Sequence, residues 1–477
     1  MSSISSTNNK TPNQSQNQMT SASKDKMPKG VFYIIGNEAA ERFSFYGMKA
    51  ILMIFMTKFI LDSQGKDAFF TGSEASEWYH YFVAAVYFFP LFGALLADLF
   101  LGKYKTIIGL SLVYCVGHLV LALMEVPFIL TLAEPKTLLA VGLGLIAIGS
   151  GGIKPCVSAH VGDQFDASKK HLIDKVFSYF YMSINFGSFF SILIIPWMLE
   201  IYGPSVAFGI PGILMFVATV IFYMGRHEFI AMPADGATFL KDLKSRDGIF
   251  ALLKLGLIYL VIAVFWALYD QTGSSWVLQA DKLDRIVNLG FASFTILPAQ
   301  VQAVNPVLVL LYIPLFTLII YPFFERRVKV TPLRKISVGF FLTAASFAVI
   351  AITEQWIQNG ATPSMLWQVL AFVLITAAEI LISITALEFS YTQAPNSMKS
   401  FVMALFMFSI SLGNIVTANV NGLVAKDKAL GFNILAGANY FWFFTAMVFW
   451  AGIIFMIIAY FYKEKTFLQD HNLAEPT

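Results

Sequence analysis

Twelve stretches of mostly apolar residues recur along the chain, near 31–60, 78–101, 105–128, 137–160, 176–200, 204–225, 250–272, 303–324, 333–355, 364–391, 398–424 and 436–462. Each is long enough to cross roughly 30 Å of hydrocarbon as a helix. A polar stretch, RHEFIAMPADGATFLKDLKSRDG, separates the sixth from the seventh. The pattern predicts an all-α integral membrane protein of twelve transmembrane helices: a six-helix bundle over 31–225, a linker over 226–249 and a second six-helix bundle over 250–462. The first thirty residues are rich in Ser, Asn and Gln and contain no aromatic, so they read as a disordered tail, 1–30, which cannot support a core. They also lack the basic start and apolar core of a cleaved signal peptide. Residues 463–477 read as a second tail.

Composition turns this pattern into a solvent assignment. The 477 residues are 57% hydrophobic and 13% charged, against about a quarter charged in soluble domains. Water could not solvate that much apolar surface, so the lipid bilayer is the expected partner. The net charge is only +3 and no basic patch interleaves with aromatics, which argues against nucleic acid. Cys115 and Cys156 both fall in apolar segments, suggesting neither a disulfide framework nor a thiolate metal site. No GxxxxGK[ST], HExxH or GxSxG element is found, so neither ATP drive nor a familiar hydrolytic site is supported. The chain reads as no enzyme and needs no cofactor, and an ion gradient is the remaining energy source.

Charge matters here by position. With the first tail placed in the cytoplasm, 21 Lys and Arg fall on the cytoplasmic side and 6 outside, while Arg42, Lys49, Lys58, Lys154 and Lys254 lie within helices. That bias puts both termini and the linker in the cytoplasm of a multi-pass protein of the cell membrane, plasma or inner. Two such halves joined by a basic linker are a layout in which a substrate site sits at the midplane between bodies that rock against each other.

The first helix contains the chemistry. GNEAAERFSFYGMKAIL puts Glu38, Glu41, Arg42 and Lys49 in an apolar span, where each ionised group costs roughly 2.5 to 3.5 kcal/mol. At about 100° per residue these four share an arc of roughly 140° with Phe45 and Tyr46, so one face looks into the protein or into water. The face reads either as a structural salt-bridge ladder or as carboxylates crowded against cations so that one can take and release a proton. Lys154, Asn185, Asn305, Glu379 and Glu388 lie in other spans. Cations gather in the first half and carboxylates in the second, an arrangement suited to a ligand with a carboxylate at one end and an ammonium at the other.

At this point the residues resemble a known family. Glu38-Ala39-Ala40-Glu41-Arg42-Phe43 is similar to the ExxERF signature of the proton-dependent oligopeptide transporters, within the major facilitator superfamily. GSGGIKPCVSAHVGDQF from Gly149 and FYMSINFGS from Phe180 resemble its two other hallmarks. FWALYDQTGSSW from Phe265, LEFSYTQAPNSMKS from Leu387 and GALLADLFLGKYK from Gly93 agree, and the likeness runs across nearly the whole chain after the tail, nearest to animal members. The large insert those members carry between helices nine and ten is absent, since only ITEQWIQNGATPS intervenes.

The resemblance implies a proton-coupled symporter importing di- and tripeptides by alternating access as a monomer, with protons as coupling ion. The alternative on the same fold is another small anion or zwitterion, such as nitrate or an amino acid. It implies that Glu38, Glu41, Arg42 and Lys154 couple the proton to binding, with Glu388 in the same set. Arg42, Lys49 and Lys154 would meet the peptide carboxylate, Asn185, Asn305 and Glu379 its ammonium, and Tyr46, Tyr87, Tyr181 and Trp266 would line side-chain pockets.

Several positions depart from the family pattern. Phe45 stands where a tyrosine is usual, which removes a hydrogen bond to ligand, and Lys49 replaces an arginine, trading a planar fork for a point charge. Lys254 aligns with a cation that pairs with an aspartate on helix eight in animal relatives, yet Thr317 stands there. His160 replaces an aromatic and is given no function. His80 matches a histidine associated with proton uptake; from its position after Trp78 and Tyr79 it reads equally as an interfacial histidine.

Overall fold

The computed structural model describes residues 27–165, 172–230, 246–288, 290, 293–393, 399–431 and 433–462. The second tail, most of the first and most of the linker lie outside the described residues.

Twelve long helices follow one another: α1 Lys29–Lys58, α2 Gly72–Leu96, α3 Lys103–Leu123, α4 Pro135–Asp163, α5 Ile173–Tyr202, α6 Pro204–Met224, α7 Arg246–Tyr269, α8 Val304–Leu315, α9 Pro332–Gln358, α10 Leu366–Glu379, α11 Lys399–Ala429 and α12 Ala438–Phe461. Their starts follow from local chemistry. Thr71 and Glu74 form a reciprocal capping box at α2, and Thr331 caps α9, whose first residue is Pro332. Gly203, at φ +80°, turns the chain sharply between α5 and α6, a conformation that favours glycine.

Eleven of these helices, some counted with their continuations, are long and apolar enough to cross a membrane. Only α1 falls short. It is as long as the others, but Glu38, Glu41, Arg42 and Lys49 interrupt its apolar run. Length and burial still place it as a span, with these groups turned into the protein.

Three π turns, Ala97–Leu101, Phe316–Ile320 and Ile380–Ile384, continue α2, α8 and α10. Each widens the helix by one residue and re-aims the face that follows. The π turn after Glu379 leads into a final helical stretch, Thr385–Gln393. Outside the helices, Ile286–Asn288 and Ser293–Thr295 pair as a small antiparallel hairpin that the apolar pattern did not signal.

Most of the core falls into two large clusters. One apolar cluster draws mainly on α1 to α6 and centres on Phe45, Phe55, Tyr114 and Phe208; the other draws on α7 to α12 and centres on Phe265, Phe340, Phe372 and Phe444. The halves meet where α2 lies along α11 and where α5 packs against the start of α8. On the outside, Ile213, Phe216, Val217 and Val220 of α6 are bare, a surface that lipid solvates and water would not.

Candidate functional site

The charged face of α1 is buried, with Glu38 at 1% and Glu41 at 0% exposure. Arg42 Nε lies 2.7 Å from Glu38 Oε1 and 3.3 Å from Glu41 Oε2, so one guanidinium serves two carboxylates. Ser150 Oγ on α4 donates to Glu41 Oε1 at 2.5 Å. One turn further along α4, the Lys154 ammonium has no hydrogen-bond partner among the described residues and is 6% exposed. It sits 4.1 Å from the centre of the Phe45 ring and 4.5 Å from that of Tyr87. Two aromatic faces replace part of its hydration.

This arrangement revises the meaning of Phe45. The residue is fully buried under Lys154 and does not line the central cavity. What the departure from tyrosine changes first is therefore the surroundings of the lysine.

Beside the ladder a cavity of 220 Å³ opens between the two halves. Tyr46, Lys49, Tyr87, Tyr181, Asn185, Trp266, Asn305 and Glu379 all line it. Arg42 and Lys154 stand beside it rather than on its wall. On the far side, Asn305 Nδ2 donates to Glu379 Oε2 at 2.7 Å and to Thr376 Oγ1 at 3.1 Å. Asn185 spends its Nδ2 on the Tyr181 carbonyl of its own helix, 3.0 Å away. Glu388, beyond the π turn, is exposed and apart from both ladder and cavity.

At one end of the cavity the halves are tied together. Lys49 Nζ lies 2.8 Å from Asp270 Oδ1, and Asp270 Oδ2 accepts from Asn414 Nδ2 at 2.8 Å. A carboxylate only accepts, so the Asn414 amide presents its oxygen to His80 Nδ1 at 2.7 Å, and that nitrogen must carry the proton. In the neutral ring Nε2 then accepts from Ser274 Oγ at 2.8 Å. His80 is fully buried at this junction of α2, α7 and α11, and is not an interfacial residue. Lys58 and Asp281, 2.6 Å apart, add an outer link between the halves.

Asp270, Asn414, Ser274 and Ser150 were not singled out from the sequence. Asp270 carried a usable signal, a lone carboxylate in an apolar helix. The others are small polar residues of a kind common in helices, and only their neighbours distinguish them. Lys254 and Thr317 are both exposed, and among the described residues Lys254 makes no ion pair.

A family model described as POT family matches residues 104–247 and 241–443. This chain belongs to the POT family. Curated relatives agree with that placement. Peptide transporter 3 of Caenorhabditis elegans is 38% identical over 368 residues, covering 69% of this chain and 51% of the relative. Solute carrier family 15 member 2 of Homo sapiens is 38% identical over 368 residues, covering 69% and 49%. The chain thus spans about half the length of the curated relatives it matches. Among solved POT structures, an auto-inhibited POT family peptide transporter superposes with a TM-score of 0.82 at 33% identity, covering 94% of this chain and 99% of the other. A POT family transporter crystallised in meso gives 0.77 at 35% identity, covering 91% and 98%. The POT fold, two six-helix bundles of the major facilitator type, accounts for the twelve helices and for a polar cavity where the bundles meet.

Proposed function

We propose that this chain is a proton-coupled symporter that carries di- and tripeptides into the cytoplasm by alternating access. The observation behind this reading is a cavity between the halves with cationic Lys49 on one wall and the Glu379–Asn305 pair on the other, backed by a buried ladder of two carboxylates and two cations. A peptide has a carboxylate and an ammonium at a nearly constant separation per length. Charged groups on opposite walls therefore read its ends, and Tyr46, Tyr87, Tyr181 and Trp266 receive its side chains without strict selection.

In this reading residues 31–225 and 250–462 are the bodies that rock, and 226–249 links them in the cytoplasm of the plasma or inner membrane. The Lys58 end then faces outside, and the chain Lys49–Asp270–Asn414–His80–Ser274 is the closed outer gate. A proton reaching His80 would make both ring nitrogens donors, turning the Ser274 contact around and offering Asp270 a second cation. That loosens Lys49 and lets the outer end part. With the cavity loaded, the peptide carboxylate draws on Arg42, Lys49 and Lys154, and a carboxylate that loses its cation holds a proton. Glu38 and Glu41 couple the two fluxes in this way, and Glu388, exposed on the second half, is assigned to the same coupling set. A single copy holds every group the cycle uses.

Uptake of a labelled dipeptide by liposomes holding the purified protein, with and without an inward proton gradient, tests the reading. Gradient-dependent accumulation is expected, and its absence sinks the proposal. Accumulation of nitrate or a free amino acid, with none of dipeptide, replaces the cargo and keeps the fold.

A further inference from the structure

The interior of the first bundle, away from the cavity, holds polar groups that the transport cycle leaves without work. On α3, Tyr104, Ser111, Tyr114 and His118 fall within an arc of about 80° and face inward over a rise of about 21 Å. Tyr104 Oη, Ser111 Oγ, Tyr114 Oη and His118 Nε2 are all buried without a hydrogen-bond partner. Both amide atoms of Asn37, one turn before Glu41 on α1, are in the same condition, as is His160 Nε2 on α4. Seven of the sixteen such atoms among the described residues lie on α1, α3 and α4 of the first bundle.

Ring contacts link four of these residues. The Tyr114 and His118 rings are 4.9 Å apart, and Tyr104 and His160 pack on the same pair of rings, Phe222 and Phe229. His118 Nδ1 lies 3.2 Å from the Phe208 carbonyl, which only accepts, so the proton is on Nδ1 and Nε2 is an acceptor facing no donor. Beyond Tyr104, at the end of the bundle, Lys103 and Asp163 pair at 2.7 Å near the surface. Buried polar groups are satisfied by protein or by ordered water, and a buried water needs two to four polar partners.

We propose that ordered waters fill this interior in single file and form a proton release path from Glu41, past Ser111 and Asn37, to the face carrying Lys103 and Asp163. The inference rests on the symport reading. It adds that the proton leaves by a route inside the first bundle rather than through the substrate cavity. Glu41 returns to a carboxylate, the proton joins bulk water at the far end, and nothing else is consumed. Arg42 pairs with Glu41 at the head of the file.

The test uses the full chain in liposomes, with Ser111→Val and Asn37→Leu, each measured for gradient-driven dipeptide accumulation and for peptide counterflow, which needs no net proton release. The expected result is at least a ten-fold loss of accumulation with counterflow within two-fold of wild type. Unchanged accumulation overturns the proposal, and so does an equal loss of both activities, which would mean the positions serve folding or movement. Radiolytic hydroxyl labelling in ¹⁸O water reads the file directly. Tyr114, fully buried, should be labelled at least five-fold faster than the equally buried Phe55, and equal rates remove the waters. If wild type shows no gradient-driven uptake, the symport reading falls, and the labelling decides the water file alone.

Discussion

Lys49 on α1 and Asp270 at the end of α7 are 2.8 Å apart, and they join the two halves of the molecule through a buried ion pair. Removing one partner of such a pair leaves an unpaired buried charge, at a cost of about 3 to 5 kcal/mol, whereas replacing both by apolar groups is often neutral. Lys49→Met and Asp270→Leu should each lower the melting temperature in detergent, and the double variant should recover most of the loss. Additive losses in the double variant would show that the two do not act as a pair. Both singles should also lose uptake.

Glu41 is held by Arg42 on one side and Ser150 on the other. Glu41→Gln keeps the shape and removes the proton acceptor. Gradient-driven accumulation should vanish while exchange of peptide between the two sides persists in part. Loss of neither takes Glu41 out of the coupling role.

Lys154 depends on the Phe45 and Tyr87 rings for part of its solvation. A cation–π contact contributes about 0.5 to 2 kcal/mol, a factor of about 2 to 30. Phe45→Leu should reduce gradient-driven uptake by a factor in that range and change peptide affinity less, because Phe45 acts through Lys154 and does not reach the cavity. An affinity change larger than the rate change would contradict the placement of this ring.

Glu379 is held toward the cavity by Asn305. Hydrogen bonds to charged groups contribute about 1.5 to 3 kcal/mol. Glu379→Gln should therefore weaken binding of a free-amine dipeptide about 10- to 150-fold, with little effect on its N-acetylated form. Competition binding on the purified variant measures both, and equal effects on the two ligands would move the ammonium site elsewhere.

Much of the site was legible before any fold. Charge inside an apolar span is costly enough to be informative by itself, and it marked Glu38, Glu41, Arg42, Lys49, Lys154 and Glu379. The same argument could have marked Asp270, the buried partner of Lys49. It could not mark Ser274, Asn414 or Ser150, whose side chains are cheap in any helix. It also placed Glu388 with the coupling groups, and that residue is exposed, apart from the ladder and the cavity.

The sequence by itself determined the twelve helices, their division around a polar linker, and the presence of a charged face, because hydrocarbon tolerates few alternatives to an apolar helix. Tertiary structure alone decided who pairs with whom. Whether Lys49 waits for a ligand or holds Asp270, and whether Phe45 touches a peptide or a lysine, depend on distances of about 3 to 4 Å between helices remote in sequence. No local pattern encodes such distances, since they arise when packing brings two halves of the chain face to face.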